Sequence, residues 1–177
     1  VVLYPCDAVS THKLVEQAAK HKGIVYIRTT RPATPIIYPQ SQSFPIGGSK
    51  ILRQSRKDVV TVIAAGITVF EAMRAYEELK RKKIYIRVID AYSIKPIDEK
   101  TIRRAAQQTK HLVTVEDHYA EGGLGDAVRE ALENEAVRVH SLAVRKMPRS
   151  GTMQELLEYE EISANAIIWK VATLLKR

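Results

Sequence analysis

Short apolar runs alternate with longer amphipathic segments through most of this chain. Residues 59–65 form a near-continuous apolar run, which predicts a strand buried on both faces of a parallel sheet. Similar runs predict strands over 85–89, 112–115 and 137–142, with an edge strand over 50–52. Helical periodicity predicts helices over 68–82, 98–110, 122–134, 153–158 and 163–175. This alternation predicts an α/β fold, a three-layer sandwich around a mostly parallel sheet.

The helix starts also carry local signals. Thr68 is followed three residues later by Glu71, the spacing of a capping box, so we expect Thr68 to cap the helix over 68–82. Asp98 follows a proline-containing turn and is expected to cap the helix over 98–110.

The first 45 residues follow a different pattern. A strand over 3–4, a helix over 7–21 with Asp7 and Ser10 as candidate caps, and a strand over 24–28 are predicted. The proline-rich stretch 31–45 lacks helical periodicity and indicates a linker. A strand–helix–strand piece is too small to fold alone, so we interpret it as a remnant of a domain continued upstream. We expect it to leave an unfinished surface near residues 1–45.

Composition narrows the class of protein. Hydrophobic residues make up 45% and charged residues 27% of 177 residues, as in ordinary globular proteins. No apolar run reaches the ~18 residues of a membrane span, so no membrane partner is expected. The single cysteine, Cys6, excludes an intrachain disulfide and favours a reducing, cytoplasmic location. Since Cys6 lies between Pro5 and Asp7, a catalytic thiolate is not favoured.

The net charge of +8 raises the question of nucleic-acid binding. The basic cluster 80–83 falls at the end of a predicted helix, where cations complement the helix dipole. Aromatic residues do not interleave with the basic residues, and zinc-ligand spacing is absent from the sequence. We therefore expect no nucleic-acid partner, and a basic surface suited to phosphorylated metabolites.

Several sequence phrases, in order and in register, resemble the transketolase family. They are residues 4–9 (YPCDAV), 27–32 (IRTTRP), 94–98 (IKPID), 115–125 (VEDHYAEGGLG) and 147–151 (MPRSG). The resemblance covers essentially the whole chain. It implies that residues 1–38 are the incomplete end of a pyrimidine-binding domain, 39–45 a linker, and 46–177 the complete transketolase C-terminal domain.

The resemblance also implies an activity of the intact enzyme: transfer of a two-carbon ketol unit between ketose and aldose phosphates. It implies thiamine diphosphate and Mg or Ca as cofactors, an N-terminal part in the same chain or a separate subunit, and a homodimer. The family's metal signature is Gly-Asp-Gly followed by paired asparagines. Gly125-Asp126-Ala127 is the nearest approach, and Asn-Asn does not occur. We therefore assign no catalytic, cofactor-binding or metal-binding residue, and expect the chain alone to be inactive.

One functional residue is carried over by the resemblance. Arg31, in residues 27–32, matches the arginine with which transketolases hold the substrate phosphate. A guanidinium suits this role because it presents a planar fork and remains charged. Its place just beyond a predicted strand is the usual ligand edge of an α/β sheet. For the nearby Arg28 we expect an internal ion pair.

Residues 116–118 and the glycines of 122–125 form a second constellation. Glycines that open a helix after a strand resemble an anion-binding turn, but this spacing alone is a weak signal. We favour a structural role, with glycines allowing close backbone approach and Glu116, Asp117 and His118 forming an interdomain hydrogen-bond network. Arg149 lies in a turn before a capped helix and is a candidate for a contact between subunits.

Two alternative interpretations remain open. The chain is also compatible with a stand-alone regulatory or assembly module derived from transketolase. The third class is the C-terminal part of another thiamine enzyme, a 2-oxo acid dehydrogenase β chain or a deoxyxylulose phosphate synthase. The details of residues 29–32 and 116–118 favour transketolase over both.

Overall fold

Two β-sheets and six α-helices make up the computed structural model, which describes residues 1–176. The strands are β1 (Val2–Leu3), β2 (Tyr26–Ile27), β3 (Lys50–Arg53), β4 (Val60–Ala64), β5 (Ile86–Asp90), β6 (Ser93–Lys95), β7 (His111–Tyr119) and β8 (Arg138–Val144). The helices are α1 (Ala8–Lys20), α2 (Thr68–Arg81), α3 (Glu99–Thr109), α4 (Leu124–Ala131), α5 (Met153–Tyr159) and α6 (Ala164–Leu174).

The larger sheet has the strand order β3-β5-β4-β7-β8. Its last four strands run parallel to their neighbours, and only the edge strand β3 is antiparallel. All five residues of β4, the central strand, are buried, as the apolar run predicts. The α/β fold with a mostly parallel sheet is therefore confirmed.

Helices cover both faces of this sheet and create two cores. Alternate β4 residues point to opposite faces: Val60 and Val62 belong to the core that also contains α2, α5 and α6, whereas Ile63 packs against α3 and α4. Each fully buried aliphatic side chain contributes about 1.5–3 kcal/mol, so these two cores hold the three layers together.

The smaller sheet joins the N-terminal segment to the rest of the chain. β1 pairs in parallel with β2, as expected for a strand–helix–strand unit, and pairs on its other side with antiparallel β6. Strand β6 was not predicted, because three residues followed by Pro96 give little local signal and form a strand only through pairing with β1.

Asp7 organises the N-terminal segment. Of the two candidate caps, Asp7 is the N-cap of α1, and Ser10 is its partner in a capping box. Its second carboxylate oxygen, Oδ2, accepts hydrogen bonds from the backbone N–H groups of Ile37 at 2.9 Å and Tyr38 at 3.1 Å. One buried carboxylate thus fixes both the start of α1 and the path of the proline-rich stretch.

The division of the chain into domains at 1–38, 39–45 and 46–177 stays a prediction.

Two local expectations were wrong. The N-cap of α2 is Ile67, and the Thr68 hydroxyl instead donates to the carbonyl oxygens of Ala65 at 2.9 Å and Val115 at 2.8 Å. Strand β7 continues to Tyr119, beyond the predicted end at residue 115. The polar residues that follow Val115 can remain in the strand because their side chains find partners in the tertiary structure.

The N-terminal segment carries an exposed apolar surface, as expected. Ile24 is 89% exposed and Tyr26 is 58% exposed, although both lie in or beside β2. Val15 on α1 and Ile36 in the proline-rich stretch are exposed as well. Contiguous exposed apolar residues are typical of surfaces that pack against another protein segment.

Candidate functional site

Arg31 lies on the wall of a cavity of ≈ 780 Å³. Three loops build this cavity: residues 28–32 after β2, residues 117–119 at the end of β7, and the turn 148–151 before α5. Its polar and charged lining includes Arg28, Arg31, Asp117, His118, Arg149 and Glu160. Because β2 and β7 both present their carboxyl ends here, the cavity occupies the edge where α/β proteins usually bind ligands.

Arg31 is exposed and available to a ligand. No acidic side chain lies within ion-pair distance of its guanidinium in the part of the chain that the structure describes. The Arg31 position is therefore compatible with phosphate binding, since its planar donors are not committed to another residue.

Arg28 forms the predicted internal ion pair. Its guanidinium donates to Asp117 Oδ2 at 2.8 Å and to the Asp117 carbonyl oxygen at 2.9 Å. Tyr4 donates its hydroxyl to the same Oδ2 at 2.9 Å, and the Arg28 guanidinium lies 4.6 Å from the centre of the Tyr4 ring. The network connects the N-terminal segment to β7 through Asp117, and an interdomain role for this residue stays a prediction.

Burial and charge act in opposite directions on this network. Desolvation raises the pKa of Asp117, and the nearby Arg28 guanidinium offsets part of that increase. Burial and the neighbouring Asp117 raise the pKa of the Tyr4 hydroxyl, which therefore remains a donor at physiological pH.

Glu116 has a different role from the expected interdomain one. Its carboxylate accepts hydrogen bonds from the backbone N–H groups of Leu124 at 2.5 Å and Gly125 at 2.9 Å, at the start of α4. Burial raises the pKa of Glu116, and these backbone donors lower it. The turn thus resembles an anion site that the chain's own carboxylate already fills.

The glycines of this turn allow the predicted close approach. A Cβ on Gly123 would lie 2.0 Å from Glu116 Oε2, and one on Gly125 would lie 2.8 Å from Ser141 Oγ. His118 is more peripheral: it is exposed, with Nδ1 at 2.8 Å from the Tyr119 carbonyl oxygen. The segment 116–125 is therefore mainly structural, with Asp117 and His118 at the edge of the cavity.

Arg149 was not predicted as a cavity residue. Its guanidinium lies 4.6 Å from the centre of the Tyr159 ring, at the end of α5. Pro148 and Gly151, on either side of Arg149, indicate a turn. They do not indicate which other segment that turn faces. Sequence spacing cannot show that Arg149 and Arg31 share one cavity, because they reach it from distant parts of the chain.

The nearest approach to the family's metal signature is engaged in hydrogen bonds within the chain. Asp126, from the Gly125-Asp126-Ala127 sequence, accepts hydrogen bonds from Gly122 N at 2.8 Å and Arg129 Nη1 at 2.6 Å, and so is engaged at the start of α4. Among residues 1–176, no three metal-binding side chains cluster together. Within the same range, no helix has the length and apolar character to cross a membrane.

A buried acid lies outside the cavity, at the end of β5. Asp90 Oδ2 accepts hydrogen bonds from the Tyr38 hydroxyl at 2.6 Å and the Cys6 thiol at 3.4 Å. Burial raises the pKa of Asp90 to about 7. Burial and the nearby Asp90 also raise the pKa of the Cys6 thiol, which agrees with the expectation that Cys6 is not a reactive thiolate.

A sheet with helices on both faces and a cavity at its carboxyl edge defines an α/β domain. A model of the family described as transketolase, C-terminal domain, matches residues 47–167. The chain therefore belongs to the transketolase family.

Individual relatives agree with this family assignment. The chain is 49% identical to transketolase-like protein 1 of Macaca fascicularis and 48% identical to human transketolase, over 98% and 99% of its length. It spans only about 30% of the length of these curated relatives. The activities of these relatives therefore belong to longer proteins, which have segments beyond the part that this chain matches.

Solved structures show the same fold. A split-gene transketolase, described as an inactive beta4 tetramer, matches with a TM-score of 0.90 and 35% identity, covering 99% of this chain and 56% of that one. The transketolase of Campylobacter jejuni matches with a TM-score of 0.71 at 15% identity, covering 97% and 26%. The second likeness concerns the fold alone.

Proposed function

We propose that this chain is the C-terminal portion of a transketolase, an enzyme that transfers a two-carbon ketol unit between ketose and aldose phosphates. In this proposal the chain supplies Arg31 as a substrate-phosphate ligand, together with interdomain and dimer contacts. The observation that carries the proposal is an exposed, unpaired guanidinium in a cavity at the carboxyl ends of β2 and β7.

The N-terminal part of the enzyme, in the same chain or as a separate subunit, would hold thiamine diphosphate and the Mg or Ca ion. In this proposal no catalytic, cofactor-binding or metal-binding residue is assigned to this chain. The exposed apolar surface around Ile24 and Tyr26 supports packing against such a part. A cytoplasmic location and the absence of a nucleic-acid partner belong to the same proposal.

An assay of ketol transfer by the purified chain tests whether the catalytic site requires another part of the enzyme. We expect no turnover when the purified chain is mixed with thiamine diphosphate, Mg²⁺, a ketose phosphate and an aldose phosphate. The split-gene neighbour described as inactive supports this expectation. Robust transfer by the chain alone would overturn it.

Arg31→Ala tests the phosphate ligand. Titration of the ¹⁵N-labelled chain with ribose 5-phosphate should give a Kd that rises about tenfold or more in the variant, because a charge-assisted hydrogen bond contributes about 1.5–3 kcal/mol. Arg145→Ala is the matched control, since Arg145 is exposed, has the same charge and lines a different cavity. An equal increase of the Kd in both variants would indicate only a general effect of the protein's charge.

A second candidate function is a stand-alone assembly module derived from transketolase. The neighbour described as a tetramer of one type of chain favours assembly without an N-terminal partner. Sedimentation of the purified chain, and tight binding of a partner protein that is unaffected by Arg31→Ala, would distinguish this function from the first.

A further inference from the structure

The cavity that contains Arg31 has a second arginine on a different wall. Arg31 reaches it from the loop after β2, in the N-terminal segment, whereas Arg149 reaches it from the turn before α5, in the larger sandwich. Both side chains are exposed. Two guanidinium groups around one cavity can offer donors to several oxygens of the same phosphate.

The acidic groups of this cavity are already engaged by other partners. Asp117 is bound to Arg28 at 2.8 Å and accepts the Tyr4 hydroxyl. Glu160 Oε2 accepts the backbone N–H groups of Arg145 and Lys146, both at 3.1 Å. Since Arg28 is paired with Asp117, Arg31 and Arg149 outnumber Glu160, and the cavity keeps a net positive charge that attracts an anionic ligand.

A cation–π contact places the Arg149 guanidinium over the ring of Tyr159. The guanidinium lies 4.6 Å from the centre of the ring, and Tyr159 ends a helix anchored in the core by Leu157. A cation–π contact leaves the N–H groups of a guanidinium available for hydrogen bonds. This arrangement reduces the side-chain entropy lost when a ligand binds.

We propose that Arg149 is a second phosphate-binding residue of this cavity, so that the phosphate of the sugar is held from the N-terminal segment and the C-terminal sandwich together. This inference rests on the proposed function of Arg31. It replaces the expectation of a subunit contact for Arg149, and it gives the C-terminal sandwich a direct part in selecting phosphorylated over unphosphorylated sugars.

The experiment is a titration of the ¹⁵N-labelled chain with ribose 5-phosphate, inorganic phosphate and ribose. We expect Arg149→Ala to raise the Kd for ribose 5-phosphate about tenfold, and Arg149→Lys to raise it less, because lysine keeps the charge but loses the fork. The response to ribose should not change. Arg145→Ala should retain a Kd within about twofold of the wild type, since its side chain lies outside the cavity. The spectra themselves show whether each variant is folded.

The outcomes separate the two proposals. If Arg31→Ala weakens binding while Arg149→Ala behaves like Arg145→Ala, the role of Arg149 is overturned and that of Arg31 stands. If Arg149→Ala leaves binding unchanged but alters the sedimentation of the chain, Arg149 is a subunit contact instead. If the wild-type chain responds equally to ribose and ribose 5-phosphate, both phosphate roles are overturned.

Discussion

Buried carboxylates in this chain each hold a particular set of donors. Asp7 binds the start of α1 and the proline-rich stretch, Glu116 binds the start of α4, and Asp117 binds Arg28 and Tyr4. Asp90 holds Tyr38 and Cys6 through Oδ2, and the Oδ1 atoms of Asp90 and Asp117 are both buried without a hydrogen-bond partner in the described structure. At the scale of residues, the environment of each acid therefore predicts a different response to substitution or pH.

Asp90→Asn should change how stability depends on pH. The pKa of Asp90 rises from 3.8 to about 7 on folding, so between these values the unfolded state ionises while the folded state keeps its proton. Stability contributed at low pH is therefore lost as pH rises from about 4 to about 7, by on the order of 1–4 kcal/mol. Urea unfolding from pH 4.5 to 8 should give a shallower decline for Asp90→Asn than for the wild type.

A surface substitution provides the control for Asp90. Glu130 is exposed on α4, and Glu130→Gln should leave the pH dependence of the unfolding free energy as in the wild type. An Asp90→Asn profile that runs parallel to the wild-type profile would contradict the raised pKa.

Gly123→Ala should destabilise the protein because the added methyl group would collide with neighbouring atoms, whereas the backbone conformation at this position is one that alanine can adopt. The added Cβ would lie 2.0 Å from Glu116 Oε2 and 2.9 Å from the Tyr119 carbonyl oxygen, which would displace the carboxylate from the start of α4. We expect a loss of about 1–3 kcal/mol. The neighbouring Gly122→Ala meets no atom of the described structure within 4 Å but has φ +68°, so only about 1 kcal/mol should be lost. Thermal unfolding of both variants measures the difference, and equal losses would count against the close packing.

At the scale of elements, helix α2 stabilises the start of another helix instead of its own. Glu71 accepts a hydrogen bond from Arg74 through Oε1, and through Oε2 from the backbone N–H of Ala164 at 2.8 Å, the first residue of α6. Since the first N–H groups of a helix lack intrahelical partners, this buried carboxylate fixes α6 against α2.

Glu71→Ala should therefore weaken the packing of α2 against α6. We expect a loss of about 1–3 kcal/mol, because a buried charge-assisted hydrogen bond and a helix cap are both removed. Glu78→Ala on the same helix breaks an exposed pair with Arg81 and should cost less than about 1 kcal/mol. Urea midpoints of the two variants make the comparison; similar midpoints would argue that Glu71 does not cap α6.

At the scale of the whole molecule, a shared core, strand pairing and an ion pair attach the N-terminal segment to the sandwich. Strand β1 pairs with β6, and Arg28 binds Asp117 on β7. The same segment carries Arg31, so this attachment also fixes the position of Arg31 on the cavity wall.

A double-mutant cycle of Arg28→Ala and Asp117→Asn tests this attachment. Removing Arg28 leaves a largely buried carboxylate without its cation, so a loss of about 3 kcal/mol is expected, and the two substitutions should couple by about 1 kcal/mol or more. Relative to the wild type, each single variant should show faster backbone amide hydrogen exchange in β1 and β2, with a smaller change in β4. Additive losses, with unchanged protection of β1 and β2, would mean that strand pairing and core packing attach the segment without help from this ion pair.

The sequence by itself determined the elements whose signals are local. The buried run of β4, the Asp7 cap, the Asp98 cap and the alternation of strands and helices all depend on residues close in the chain. Side-chain periodicity and helix-end hydrogen bonds act over a few residues, so they can be read from the chain directly. The family phrases likewise identified Arg31 as a candidate, and its role stays a prediction.

Only the tertiary structure decided which distant groups meet. Strand β6 forms because β1 pairs with it, Thr68 bonds to Val115, and Glu71 caps α6 rather than α2. The cavity shared by Arg31 and Arg149 has the same origin. These contacts satisfy hydrogen bonds and fill space between segments far apart in the chain, and local spacing contains no information about which segments pack together.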